Sequence, residues 1–320
     1  MTARLGFTAP LLTFPLRRTC ELARAAEQWG YTDCWAAETS GPDGFSVATA
    51  VGIATERIRT GVAVVPVYTR PPALIAMSAL AASQASDGRF CLGLGASSPV
   101  IVEGWMGSTF ERPVTRLRET VAAVRSALAG EKVSRKGETI SISGFKLDPE
   151  PASPIPLYLA ALGPKMLALA DEVADGVALY LASEEGVRIA TRAVPDKEIV
   201  ERILCCPDEP EDEVRAFMRW LITPYLAVPA YNRYIAAQGF EDVAAHLAKL
   251  WGTGERAEAR ESIPDELIDA LVLLGPAGAC KERLESFRDA GLDTPILMFV
   301  SQKGGAAIEA ALRVMAPAPI

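Results

Sequence analysis

Short, almost continuously apolar runs alternate along the chain with longer segments in which apolar residues recur every three or four positions. The runs cover residues 4–9, 32–38, 58–65, 89–96, 155–161, 175–181, 199–206 and 295–301. A strand exposed on one face alternates apolar and polar positions, whereas a parallel strand covered on both faces is apolar throughout. The segments between them, among them 16–29, 73–85, 113–128 and 277–290, have the spacing of amphipathic helices. Eight strand–helix steps predict an α/β fold of the (β/α)8 TIM-barrel type in preference to an open doubly wound sheet.

Two stretches break the rhythm. Residues 132–143 suggest a hairpin around Lys136-Gly137, followed by a Pro-rich approach to the fifth strand. Residues 207–269 are too long for one strand–helix connection and read as a helical insertion after the seventh strand. Neither an internal repeat nor a domain linker is evident, so one domain over residues 1–320 is expected.

Half of the 320 residues are hydrophobic, enough for a large buried core. No apolar run approaches the roughly 20 residues of a membrane span, and the N-terminus lacks the order of a signal peptide. Six cysteines without a C-x-x-C pair fit reduced, core-filling thiols, and a cytoplasmic protein is expected. A net charge of -8 argues against nucleic acid and anionic membranes as partners. The single histidine, His246, sits in a helical pattern, so no multi-histidine metal site is expected.

In a barrel of this kind chemistry gathers where strands end, and the ends here are rich in Gly, Ala and Ser: residues 38–41, 63–66, 93–98 and 160–165. Small side chains let a flat ring system approach the backbone and leave N–H groups free for phosphate. Glu38 closes a buried strand at this rim. Burial of such an acid would favour proton exchange with a substrate, although it could equally hydrogen-bond a ring without exchanging protons.

Four segments resemble the luciferase-like monooxygenase superfamily in its coenzyme F420-dependent branch, which includes methylene-tetrahydromethanopterin reductase. They are residues 63–72 (AVVPVYTRPP), 86–95 (SDGRFCLGLG), 102–113 (VEGWMGSTFERP), and 158–164 (YLAALGP) leading to 171–176 (DEVADG). The resemblance implies a tricyclic ring at the carboxyl end of the barrel, backed by a bulge with a non-proline cis peptide at Ala63-Val64. It places the phosphate of the cofactor tail at the loop Ala160-Ala161-Leu162-Gly163-Pro164-Lys165, where a helix N-terminus attracts anions; the alternative is that Gly163-Pro164 merely starts a helix. Ser97 and Ser98 are implied as contacts of the ring edge or tail, with helix capping as their competing role. Glu103 is implied as a carboxylate facing the site, or else as a structural acid.

The departures from the family pattern are Ala63 in place of the common Gly, Met106 in Trp105-Met106-Gly107 where Trp-His-Gly is frequent, and Thr39 where some members place a histidine acid. Without those imidazoles, a proton must come from Glu38, a tyrosine such as Tyr68, or water. The implied function is an F420-dependent oxidoreductase moving a hydride between the deazaflavin and a small organic substrate: a carbonyl, imine, alcohol or enone. An FMN-dependent monooxygenase is the alternative, and a flavin-binding barrel without catalysis the third. Trp220, Tyr225, Tyr231, Tyr234 and Trp251 in the insertion would line the pocket or pack its helices. A homodimer is also implied.

Overall fold

The computed structural model describes residues 3–9 and 14–317. All eight anticipated runs form strands: β1 (Gly6–Ala9), β2 (Asp33–Ala36), β3 (Arg59–Pro66), β4 (Phe90–Gly95), β7 (Leu157–Ala160), β8 (Gly176–Tyr180), β9 (Glu198–Pro207) and β11 (Thr294–Phe299). They pair in parallel in the order β1-β2-β3-β4-β7-β8-β9-β11, and β11 returns to β1 to close the barrel. β5 (Val133–Lys136) and β6 (Ser141–Phe145) form the anticipated hairpin outside it.

One strand was not anticipated. β10 (Val272–Gly275) pairs with residues 204–207 of β9, beyond the stretch of β9 that pairs with β8. It follows directly on a helix whose buried Leu267, Ile268 and Leu271 continue into its own apolar residues, so periodicity alone does not mark the change of element.

The helices around the barrel are α1 (Leu16–Gln28), α2 (Gly44–Ala54), α3 (Pro72–Ala85), α4 (Pro113–Leu128), α5 (Pro164–Val173) and α6 (Glu184–Ala193). The interruption after β9 is α7 (Glu211–Leu226), α8 (Pro229–Ala237), α9 (Glu241–Thr253), α10 (Arg256–Glu261) and α11 (Asp265–Leu271). α12 (Ala277–Asp289) and α13 (Gly305–Val314) complete the ring. The inserted helices share a core with the strand ends, in which Met218, Ile222, Leu226 and Leu247 pack with Tyr180 and Leu204. His246 is exposed on α9.

Inside the barrel the side chains form layers, because strand alternation sends every second residue inward. At the amino-terminal end Arg59 donates to Asp33 (2.5 Å), to both oxygens of Glu198 (2.6 and 2.9 Å) and to the Tyr158 hydroxyl (3.1 Å). Asp33 is fully buried and also receives the Trp35 indole N–H at 3.2 Å. Above this lie Trp35 and Tyr158, edge to face at 5.2 Å, with Cys91, Val200 and Ile296. These large rings fit because their neighbours are glycines: a Cβ on Gly61 would lie 2.6 Å from the Trp35 indole, and one on Gly176 would lie 2.2 Å from the Tyr158 ring. The lower barrel is therefore a packed plug, and access is left at the carboxyl ends.

Candidate active site

Three strand ends form a floor. β3 carries a bulge between Val62 and Val65, and its Ala63-Val64 peptide is cis. The Val64 side chain lies over β4, where a Cβ on Gly95 would come within 2.5 Å of Val64 Cγ2 and 3.2 Å of Ala160 Cβ. A Cβ on Gly93 would lie 2.2 Å from the Val62 carbonyl oxygen. The glycines of β4 thus exist to admit the bulge, and they bring Val64 and Ala160, far apart in sequence, to either side of one small surface. Ala63, Val64 and Ala160 are each half-buried, as a floor open on one side must be.

The neighbouring loops rise from this floor. After β4, Ser97 is exposed with a left-handed backbone (φ 64°), and the Ser98 carbonyl accepts from the Ile101 and Val102 amides to begin a π-helical turn, Val100–Trp105. Such turns recur at functional sites. Val100, Trp105 and Met106 expose apolar surface on this turn. Glu103 is also exposed, accepting from the Phe110 amide at 3.1 Å, so its carboxylate ties this loop together.

After β7, Ala161 is buried and Leu162 packs against the main core. Gly163 precedes α5 with its carbonyl accepting from the amides of Met166 and Leu167, and Pro164 is the first helical residue. Pro164 and Lys165 are exposed, and nothing lies within 4 Å of a Cβ placed on Gly163. The helix start is open to an approaching anion.

Glu38 lies at the end of β2, half-buried, with both oxygens engaged. Oε1 is ion-paired with Arg70, and Oε2 accepts from the Gly44 amide at 3.0 Å, at the start of α2. Gly44 permits this approach, since a Cβ there would be 3.1 Å from Oε2. Arg70 also pairs with Asp43, which caps α2 by accepting from the Ser46 amide at 2.7 Å. The Tyr68 hydroxyl donates to the Glu111 carbonyl at 2.6 Å, and burial raises its pKa. Its proton is thereby committed to the loop, which counts against Tyr68 as the acid.

Of the five insertion aromatics, Tyr225 and Tyr231 reach the barrel, packing edge to face against Tyr180 of β8 at 5.6 and 6.3 Å. Trp220 is exposed and stacked on Phe217, Tyr234 is buried, and Trp251 lies beneath Arg256. Arg70, Tyr180 and Arg202 of β9 escaped the sequence reading. For Arg202 a signal existed: it is the charged residue at an inward position of a strand otherwise apolar on that face beyond Glu198. A cleft of about 840 Å³ lies elsewhere, between α4, α5 and the hairpin. It opens beside strand starts, away from the carboxyl ends, and is lined partly by the ion pairs Arg118–Glu172 and Arg125–Asp175.

A closed parallel barrel, plugged below, with a floor of small side chains and a carboxylate at its carboxyl-end rim, is the architecture of a barrel enzyme. The sequence profile described as luciferase-like monooxygenase matches residues 3–294, and the chain belongs to that family. It is an oxidoreductase. A Mycobacterium tuberculosis protein assigned by name to the coenzyme F420-dependent oxidoreductases is 32% identical over 319 residues, covering 87% of this chain and 89% of its own. The 5,10-methylenetetrahydromethanopterin reductase of Methanolobus tindarius is 28% identical over 291 residues, with the same coverages of 87% and 89%. Among solved structures, the coenzyme F420-dependent tetrahydromethanopterin reductase of Methanopyrus kandleri superimposes with a TM-score of 0.80 at 19% identity, covering 98% of this chain and 97% of its own. That likeness bears on the fold.

Proposed function

We propose that the protein is an F420-dependent oxidoreductase that moves a hydride between the deazaflavin and a small organic substrate: a carbonyl, imine, alcohol or enone. The observation that carries this reading is the floor made by Val64, Gly95 and Ala160, flat, weakly polar and open above. Ala63 and Val64 would back the ring, and Ser97 and Ser98 would meet its edge or tail. The run Ala161-Leu162-Gly163-Pro164-Lys165 would take the phosphate, through the Lys165 amide in the first turn of α5, the helix dipole and the charge of Lys165. Glu103 fastens the loop carrying the π-helical turn beside the mouth. When bound, the cofactor supplies or accepts the hydride at C5.

Glu38 is the proposed catalytic residue. Arg70 and the Gly44 amide orient its carboxylate at the strand end, and the remaining lone pairs of the two oxygens are the acceptors for the substrate proton during oxidation. The lower barrel, filled by Trp35 and Tyr158, excludes water from beneath.

The same floor admits FMN, and the family description favours monooxygenase chemistry enough to keep that as the second reading. Titrating purified apoprotein with F420 and with FMN separately decides between them. F420 binding, with anaerobic hydride transfer from the reduced cofactor to a carbonyl and enone panel, is the expected result. Sub-micromolar FMN binding without F420 binding overturns it, and ligand binding without hydride transfer across the panel points to a barrel without catalysis.

Among the described residues no helix is long and apolar enough to cross a membrane, which fits the proposed cytoplasmic location. We further propose a homodimer through α2 and α3. These adjacent helices hold no charged residue, and their outward positions include Ile53, Leu74 and Met77, 71%, 42% and 52% exposed. A helix apolar on all sides is normally covered on all sides.

A further inference from the structure

Two arginines on barrel strands point inward, and the protein treats them in opposite ways. Arg59, at the amino-terminal end, is neutralised by Asp33 and Glu198. Arg202 lies on β9 four residues after Glu198 and two after Val200, so alternation sets it in the layer above Trp35 and Tyr158, toward the mouth. Its pairing partner across β8 is Tyr180, and its guanidinium carbon is 4.0 Å from the centroid of that ring. Tyr225 and Tyr231 stand edge to face on the same ring and on each other. Burial in this cluster, more than any charge, pushes the Tyr180 phenol up to about 12, so the ring against Arg202 stays neutral.

Among the described residues Arg202 makes no ion pair, and its Nε is shut off from solvent without a partner. Contact with a ring compensates one face of a guanidinium but leaves the Nε donor in its plane unmet. A buried donor without an acceptor is destabilising, which argues that an acceptor arrives with a ligand. The strand order β3-β4-β7-β8-β9 sets this wall next to the floor of Val64, Gly95 and Ala160. A planar donor fork lying on an aromatic ring matches a carboxylate, flat like itself.

We propose that Arg202 anchors a carboxylate of the substrate, whose apolar or unsaturated body packs on Tyr180, Tyr225 and Tyr231. The binding site stands on these residues alone; that the bound acid is then oxidised or reduced rests on the function proposed above.

The test is calorimetric titration of apoprotein with benzoate, cinnamate and the uncharged methyl cinnamate, followed by F420 titration of the same preparations. At least one acid is expected to bind, and cinnamate at least about tenfold more tightly than its ester, the order expected for a charge-assisted pair. Arg202→Met should lose about the same factor and Arg202→Lys should recover part of it, with F420 affinity unchanged in both. Should R202M not fold, Arg202→Gln replaces it, and the acid–ester comparison needs no variant. Failure of both acids to bind, equal affinity for acid and ester, undiminished binding by R202M, or joint loss of acid and F420 binding would overturn the proposal. If FMN binds instead of F420, the hydride-transfer reading fails while the acid–ester comparison still judges this site.

Discussion

At the scale of single residues the rim depends on the pairing of Glu38 with Arg70. Neither neighbour in sequence nor helical spacing joins them; the turn after β3 brings Arg70 across to the end of β2. Replacing Arg70 by Met should leave the carboxylate held only by the Gly44 amide and lower the rate of hydride transfer at least tenfold, about the worth of one charge-assisted hydrogen bond, while F420 affinity changes little. Arg70→Lys should recover part of the rate. Stopped-flow reduction of a saturating substrate, beside a cofactor titration, reads both quantities; equal loss of F420 affinity would assign the pair to cofactor binding instead. Glu38 itself was legible, as an acid ending a buried strand, because its strand is apolar and its position terminal. Arg70 was not, since an exposed-looking arginine in a turn gives no sign of the partner it will meet.

At the scale of elements the uncharged pair α2 and α3 makes the sharpest claim. Thirteen- to sixteen-residue helices elsewhere, such as α1, α4 and α7, carry charges along their outward faces, whereas α2 and α3 carry none along theirs. If the proposed dimer forms through this face, Met77→Glu, alone or with Ile53→Glu, is expected to convert it to a monomer, because a carboxylate buried in an apolar interface has no partner there. Sedimentation velocity at several concentrations checks this; a monomeric unmodified protein would refute the dimer, and a variant that stays dimeric would place the interface elsewhere. Helix limits were legible in sequence, with α1, α3, α4 and α12 found within a residue or two of the apolar-period segments. Strand β10 was not, because its short apolar run continues that of α11. The inserted helices α7 to α11 were legible as an interruption, but not as the source of the two tyrosines that meet Tyr180.

At the scale of the whole molecule the Arg59 network ties five strands of the barrel together at one end, joining β2, β3, β7, β9 and β11. Burial acts to raise the Glu198 carboxyl, but the Arg59 guanidinium, with the Tyr158 and Thr294 hydroxyls, overrides it and holds the pKa at about 2. A carboxyl depressed on folding contributes stability that is present above its unfolded value of about 4.3 and is lost as the pH falls toward 2, here up to about 3 kcal/mol. Glu198→Gln should therefore reduce stability at neutral pH by about 2 kcal/mol and flatten the acid limb of the unfolding curve across that window. Chemical denaturation at a series of pH values measures it, and a parallel acid limb in the variant would show that the network does not govern acid stability.

By itself the sequence determined the alternation of strands and helices, and with it the barrel, since a chain of buried parallel strands joined by amphipathic helices can hide its apolar faces in few ways. It also determined that small residues line the strand ends. Only the tertiary structure decided which inward residues meet: that Gly93 and Gly95 give way to the β3 bulge, that Arg59 finds two carboxylates, and that Arg202 finds none. Strand spacing fixes which face a side chain takes, whereas its partners depend on register and closure around the barrel, which no local pattern in the chain encodes.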